Sequence, residues 1–296
     1  MRRIIIVAVA AGLAAGGWWV WRQKRDAGVL FERFPAENVL VLYVDVARLR
    51  QATALAPVLR GRVDPDPDYA AFVKQTGFDY QRDLDGAAVC YLPDRVYMMA
   101  QGRFDAARLR QYALEQGGSC TGSGLERPCR MPASRPGRTI SFFLISPGVL
   151  ALATAPEADA VRQLETAPTP NAAPLAQSAT AGADAALLLW ATTTPAALDQ
   201  AVGGYANLGL ISRSLAGAQR VYLLVSDRSP NIGVSVKAVC TSESQAGEMR
   251  RLLQELSNFI GGLTRNKTIS SAVISQERDT VRATWTLDPA ILQPGP

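Results

Sequence analysis

The sequence predicts an α+β protein of two tandem β-α-β-β-α-β(β) units with antiparallel sheets, ferredoxin-like or similar, behind an N-terminal transmembrane helix. Three observations predict this. The order strand, helix, hairpin, helix, hairpin runs through the chain twice. Several strands alternate: Ile232, Val234, Val236, Ala238 and Cys240 share one side, and Val281, Ala283, Trp285 and Leu287 lie opposite Thr280, Arg282, Thr284 and Thr286. Such alternation marks a sheet with one packed face and one solvated or partner face, which favours antiparallel pairing. Last, Ala246, Met249, Leu252, Leu253, Leu256, Phe259, Ile260 and Leu263 recur at helical spacing and predict one long amphipathic helix.

The elements follow in order. Residues Ile4 to Trp21 carry no charge, and at about 1.5 Å per residue the run spans roughly 27 Å, near the thickness of a bilayer core. Trp18, Trp19 and Trp21 stand where an interfacial aromatic belt lies, and Arg22, Lys24 and Arg25 stop the run. Residues 1–25 are therefore read as a membrane anchor; the rival is a cleaved signal peptide ending near Ala14 to Gly16. Flanking charge does not set its orientation, and Gly12 and Gly16 form a small-xxx-small pattern suited to helix association.

The first unit, 34–165, opens on the apolar run Val39 to Val46, with Asp45 placed to cap the next helix. Helical stretches follow near Ala47 to Arg60 and Asp68 to Thr76. Strands Ala87 to Leu92 and Val96 to Gly102 form a hairpin across Pro93 and Asp94. Asp105 caps a helix from Ala106 to Gln116 that stops at Gly117 and Gly118. Strands Thr139 to Ile145 and Val149 to Thr154 form the next hairpin, and Thr154 with Glu157 spell a capping box. Residues 166–182, rich in Ala, Pro and Thr, read as a linker. The second unit, 183–292, repeats the order: a strand from Ala185 to Trp190, a helix from Pro195, a hairpin from Arg220 to Cys240, the long helix capped by Ser242 and Gln245, and a hairpin ending at Leu287.

Composition narrows the function. The 296 residues include no histidine, which excludes Ser-His-Asp and Cys-His catalysis and His-ligated metals. Of 31 basic residues, Arg2, Arg3, Arg22, Lys24 and Arg25 lie in the first 25, leaving 26 against 26 acids from Asp26 on. The surplus belongs to the tether, so a nucleic-acid partner is not predicted. Of the four cysteines, Cys120 and Cys129 flank a turn-rich stretch and are expected to form a disulfide; two free thiols are the alternative. Cys90 and Cys240 fall in apolar strands and read as buried thiols.

Few residues offer chemistry. Asp83 and Asp85 form an acidic pair ahead of a strand, read mainly as a turn device and secondarily as carboxylates for hydrolysis. Asp64, Asp66 and Asp68 lack the glycine and glutamate of a calcium loop, and Gly203, Gly204 and Gly209 fit no phosphate loop. No cofactor or metal site is predicted.

The passage Phe34 to Arg50, with Gly77, Phe78, Asp79, Arg82 to Asp85 and Gly102 to Asp105, resembles uncharacterised membrane-anchored bacterial envelope proteins. The resemblance implies an extracytoplasmic, periplasmic body on a single inner-membrane span, and no activity. The expected partners are the lipid bilayer through residues 4–21, a protein or cell-wall partner, and a second copy of the chain. The leading expectation is a non-enzymatic tethered protein that presents a binding surface. The alternatives are an anchored hydrolase using Asp83 and Asp85 and a structural or oligomerisation module.

Overall fold

The computed structural model describes residues 28–36, 39–53, 67–122, 124, 127–181, 187–202, 215, 217–263 and 272–292. The predicted span, with Ile4, Trp18, Trp19 and Trp21, lies outside them, as do Asp64, Asp66, Gly203, Gly204 and Gly209. Among the described residues no helix is long and apolar enough to cross a membrane.

The first unit holds α1 (Gly28–Phe31), β1 (Leu40–Val44), α2 (Val46–Gln51), α3 (Pro67–Thr76), α4 (Tyr80–Asp83), β2 (Leu84–Tyr91), β3 (Val96–Gly102), α5 (Ala106–Glu115), β4 (Ser119–Cys120), β5 (Cys129–Pro132), β6 (Thr139–Ser146), β7 (Val149–Ala155) and a 3₁₀ turn, Ala160–Leu164. The remainder holds α6 (Ala173–Thr180), β8 (Leu187–Thr193), α7 (Pro195–Val202), β9 (Ala218–Arg228), β10 (Asn231–Cys240), α8 (Glu243–Leu263), β11 (Val273–Glu277), β12 (Thr280–Leu287) and a last 3₁₀ turn, Pro289–Leu292. Local chemistry sets several starts. The Asp45 carboxylate accepts from the Arg48 amide at 2.8 Å and Asp105 from the Arg108 amide at 3.0 Å, each relieving an orphan donor. Ser242 Oγ accepts from the Gln245 amide at the start of α8. The box expected of Thr154 and Glu157 does not form. Thr154 stays in β7, and Glu157 pairs with Arg95 at 3.3 Å.

All twelve strands join in one sheet, ordered β11-β12-β10-β9-β8-β1-β2-β3-β7-β6-β5-β4. The order reads outward from the β1–β8 pair in the same way on both sides: first strand, first hairpin, then the second hairpin attached through its later strand. Every neighbouring pair is antiparallel. This corrects the ferredoxin-like order, whose split crossover sets parallel strands either side of an inserted one. A long hairpin after each first strand pairs next to it and leaves no gap for a crossover.

Paired residues share a face. On one face a row runs from Ala283 and Val236 through Leu223, Ala191 and Leu42 to Val89 and Met98. Here α8 lays Ala246, Met249 and Leu253 over Val281 and Ala283. At the other end α5 lays Leu109 and Ala113 over Ala100, Phe142 and Leu150. The opposite face was expected to be open. Over its first half it is not: α1, the 3₁₀ turn and α6 bury Val41, Cys90, Met99, Ala151, Ala153 and Trp190.

Two boundaries shift accordingly. Residues 173–180 of the predicted linker form α6, with Ala172, Ala176 and Ala179 buried. Leu30 and Phe31, before the predicted start at 34, also belong to the core. Small alanines let α6 sit close to the strands, and that close seat is what an Ala-rich stretch hides from a composition reading.

The aromatic cluster Phe31, Tyr43 and Trp190 seals the central pair, with ring centroids 4.9 Å apart for Phe31–Trp190 and 6.2 Å for Tyr43–Trp190. Trp190 is 2% exposed. Trp190→Ala is expected to cost about 3–5 kcal/mol in a urea unfolding titration, the usual penalty for emptying a buried aromatic site.

Candidate functional site: the open quarter of the sheet

The covering elements on the face opposite α5 and α8, namely α1, the 3₁₀ turn and α6, reach from β6 to β9. Beyond them β9, β10 and β12 turn polar. The rung Tyr222–Lys237–Arg282–Ser275 carries two cations, and the next, Leu224–Ser235–Thr284, carries two hydroxyls. Its neighbour places Ser226 opposite Gly233. These are the alternate positions to Val221, Val236, Ala238, Val281 and Ala283, which pack under α8. One strand set thus builds a core on one side and a polar floor on the other.

Ser226, Arg228, Ser235, Lys237, Arg282 and Thr284 line a cleft against the C-terminal end of α6. Lys237 Nζ donates to the Ser178 carbonyl at 3.0 Å and lies 4.6 Å from the Tyr222 ring centroid. Burial, and then the Arg282 charge, hold its ammonium below the ordinary range. Ser235 Oγ and Thr284 Oγ1 are 3.2 Å apart. Among the described lining residues none is acidic.

Gly233 completes the cleft. A β-carbon there would lie 2.7 Å from Ser226 Oγ and 2.9 Å from Arg228 Cδ and Nε. The missing side chain leaves the room in which Arg228, itself exposed, lies across Gly233.

The residues singled out from the sequence fall elsewhere. Asp83 is 7% exposed and takes the Arg82 guanidinium at 2.8 Å, the Arg103 guanidinium at 3.2 Å and the Asp79 amide at 3.0 Å. The Arg82 hydrogen bond, aided by the Asp79 amide and Arg103, holds its carboxyl far below the usual range despite the opposing effect of burial. Asp85 pairs with Arg50 at 3.1 Å and lines a different cleft, beside Tyr43 and Asp45. The two acids do not converge on a common space. A general acid needs a raised pKa, and Asp83 has the reverse. Its chemistry is structural: it ties α4 to the chain leaving β3.

Cys120 and Cys129 form the disulfide, facing each other across β4 and β5. Cys90 and Cys240 are buried free thiols, and burial pushes Cys90 up to about 12. That removes thiolate reactivity at ordinary pH. Sequence reasoning missed Arg228, Gly233, Ser235 and Lys237 as a group. Their signal was the shared parity of polar residues on adjacent strands; the register that aligns them was not readable.

Asp83 also makes a pH prediction. Its folded pKa is depressed, so its contribution is complete above about pH 4, the ordinary carboxylate range, and fades as pH falls below it. Asp83→Asn should cost about 1–3 kcal/mol at neutral pH. Unfolding titrations from pH 6 to pH 2 should show the variant losing less stability on acidification than the parent.

No protein-family model matches the chain, and no curated protein does. Solved structures do. Crystal form III of TP0453 shares 11% identity at a TM-score of 0.50, covering 88% of this chain and 93% of that one. Crystal form I of TP0453 gives 11% and 0.50, covering 88% and 92%. At these identities the likeness is one of fold: an α+β arrangement around a large antiparallel sheet.

Proposed function

We propose that this is a non-enzymatic envelope protein, held to a membrane by residues 4–21, whose open sheet quarter binds an anionic protein or cell-wall partner on the extracytoplasmic side. The observation that carries the reading is the cleft of Arg228, Lys237 and Arg282, cationic and free of lining acids, on a rigid β-sheet floor. The body as a whole is formally neutral, so any pull on an anion comes from placement rather than net charge. The Cys120–Cys129 disulfide supports an oxidising compartment, where such bonds persist. The repeated strand order supports descent of both units from one ancestral unit, and the passage from Phe34 to Arg50 supports kinship with anchored envelope proteins.

The test is site-specific photo-crosslinking in intact cells. A benzophenone side chain at Ser235, on the open face, should give an adduct; one at exposed Glu248, on α8 across the sheet, should not. A sharp new band identifies a protein partner, and a muramidase-sensitive smear a cell-wall one. Equal adducts from both positions, adducts from neither, or a product of twice the chain mass would contradict the reading.

A further inference from the structure

The cleft is narrower in its chemistry than a general sticky face. Lys237 and Arg282 are direct partners on neighbouring strands. Like charges so placed repel each other, which costs the fold stability. Arg228, though exposed, lies over Gly233 and lines the same cleft, adding a third cation to it. Arg282 faces Ser275 in register, and Glu277 stands opposite Thr280. The cleft also has three hydroxyls, Ser226, Ser235 and Thr284, of which Ser235 and Thr284 share one hydrogen bond and so leave two donors.

Size and charge then select a ligand class. The cavity is about 80 Å³. That is well under the ~300–1,000 Å³ of pockets that swallow whole metabolites, so it takes an end group. A carboxylate brings one charge and two oxygens, enough for a single guanidinium fork. A phosphate monoester brings about 1.5 to 2 negative charges and three acceptor oxygens. Two guanidiniums, one ammonium and two hydroxyl protons left over from the Ser235–Thr284 bond match the second and oversupply the first. Resting on the reading of this face as a binding surface, we infer that the cleft seats the terminal phosphate group of its partner. Arg228 and Arg282 hold the oxygens, Lys237 neutralises the charge, and the hydroxyls donate to what remains. Gly233 is a positioning residue, since it admits Arg228.

The experiment uses the full chain in detergent micelles or nanodiscs. Inorganic phosphate is titrated calorimetrically, with acetate as the carboxylate comparison. Vesicles of phosphatidylcholine with and without phosphatidic acid provide the lipid arm. Phosphate, or the phosphatidic acid vesicles, should bind saturably, and acetate about tenfold more weakly or less. Arg282→Gln and Gly233→Ala should each weaken that binding about tenfold. The second adds only a methyl group against movable side-chain atoms and keeps the melting temperature as a folding control. Binding of inorganic phosphate alone points to a soluble phosphoester, and binding of the vesicles alone to a lipid headgroup; both support the inference. No saturable binding in either arm, acetate equal to phosphate, or binding unchanged in both variants would overturn it. If crosslinks from Ser235 persist in that case, only the phosphate assignment falls and the binding face stands.

Discussion

The structure depends on one pairing, β1 with β8. Tyr43 opposes Trp190 and Val41 opposes Thr192 across it. Each strand is the first of its unit, and each needs a neighbour on the side its own hairpin leaves open. By satisfying one another, the two remove two sheet edges that would otherwise expose unpaired amides. Phe31, packed on both Tyr43 and Trp190, closes the face above the pair. The Asp45 amide, donating to the Leu188 carbonyl at 2.9 Å, extends the seam past the ladder itself.

Much else follows from that seam. The helix between the two hairpins on each side of the seam, α5 on one and α8 on the other, lands on the same face. The opposite face is left to be covered by whatever else the chain supplies. It supplies α1, the 3₁₀ turn and α6, enough for the first unit and the seam but not for β10 and β12. The open quarter is thus a consequence of uneven covering of the sheet. Its residues answer to solvent instead of to a core, and there the sequence turns from apolar to cations and hydroxyls.

The strands were legible because their side chains report their faces. Val96 to Gly102 and Thr280 to Leu287 run between the predicted residues. The first strands sit at the middle of the sheet, with alternate residues buried on one face and mostly half-buried on the other. Short-range chemistry was legible too: Asp45, Asp105 and Ser242 cap helices, and the Cys120–Cys129 turn closes on a disulfide. What the sequence hid was long-range. Nothing local says that β1 meets β8, so the strand order was misread. Nothing in an Ala-Pro-Thr stretch shows that Ala176 and Ala179 pack a helix against β8 and β9. Asp83 and Asp85, two apart in the chain, looked like a pair; Asp83 is instead held by its neighbour Arg82 and by Arg103, Asp85 by Arg50, and the two line different clefts. Arg228, Lys237 and Arg282 looked unrelated for the same reason, since only the register of three strands makes them neighbours.

The seam can be tested by amide hydrogen exchange. If β1 and β8 weld the units, the amides of Val41 to Val44 and Leu189 to Thr192 that the pairing covers will be as slow as those between β2 and β3 or between β9 and β10. Fast, loop-like exchange at the seam, with both outer hairpins still protected, would mean two separate sheets and would contradict the account.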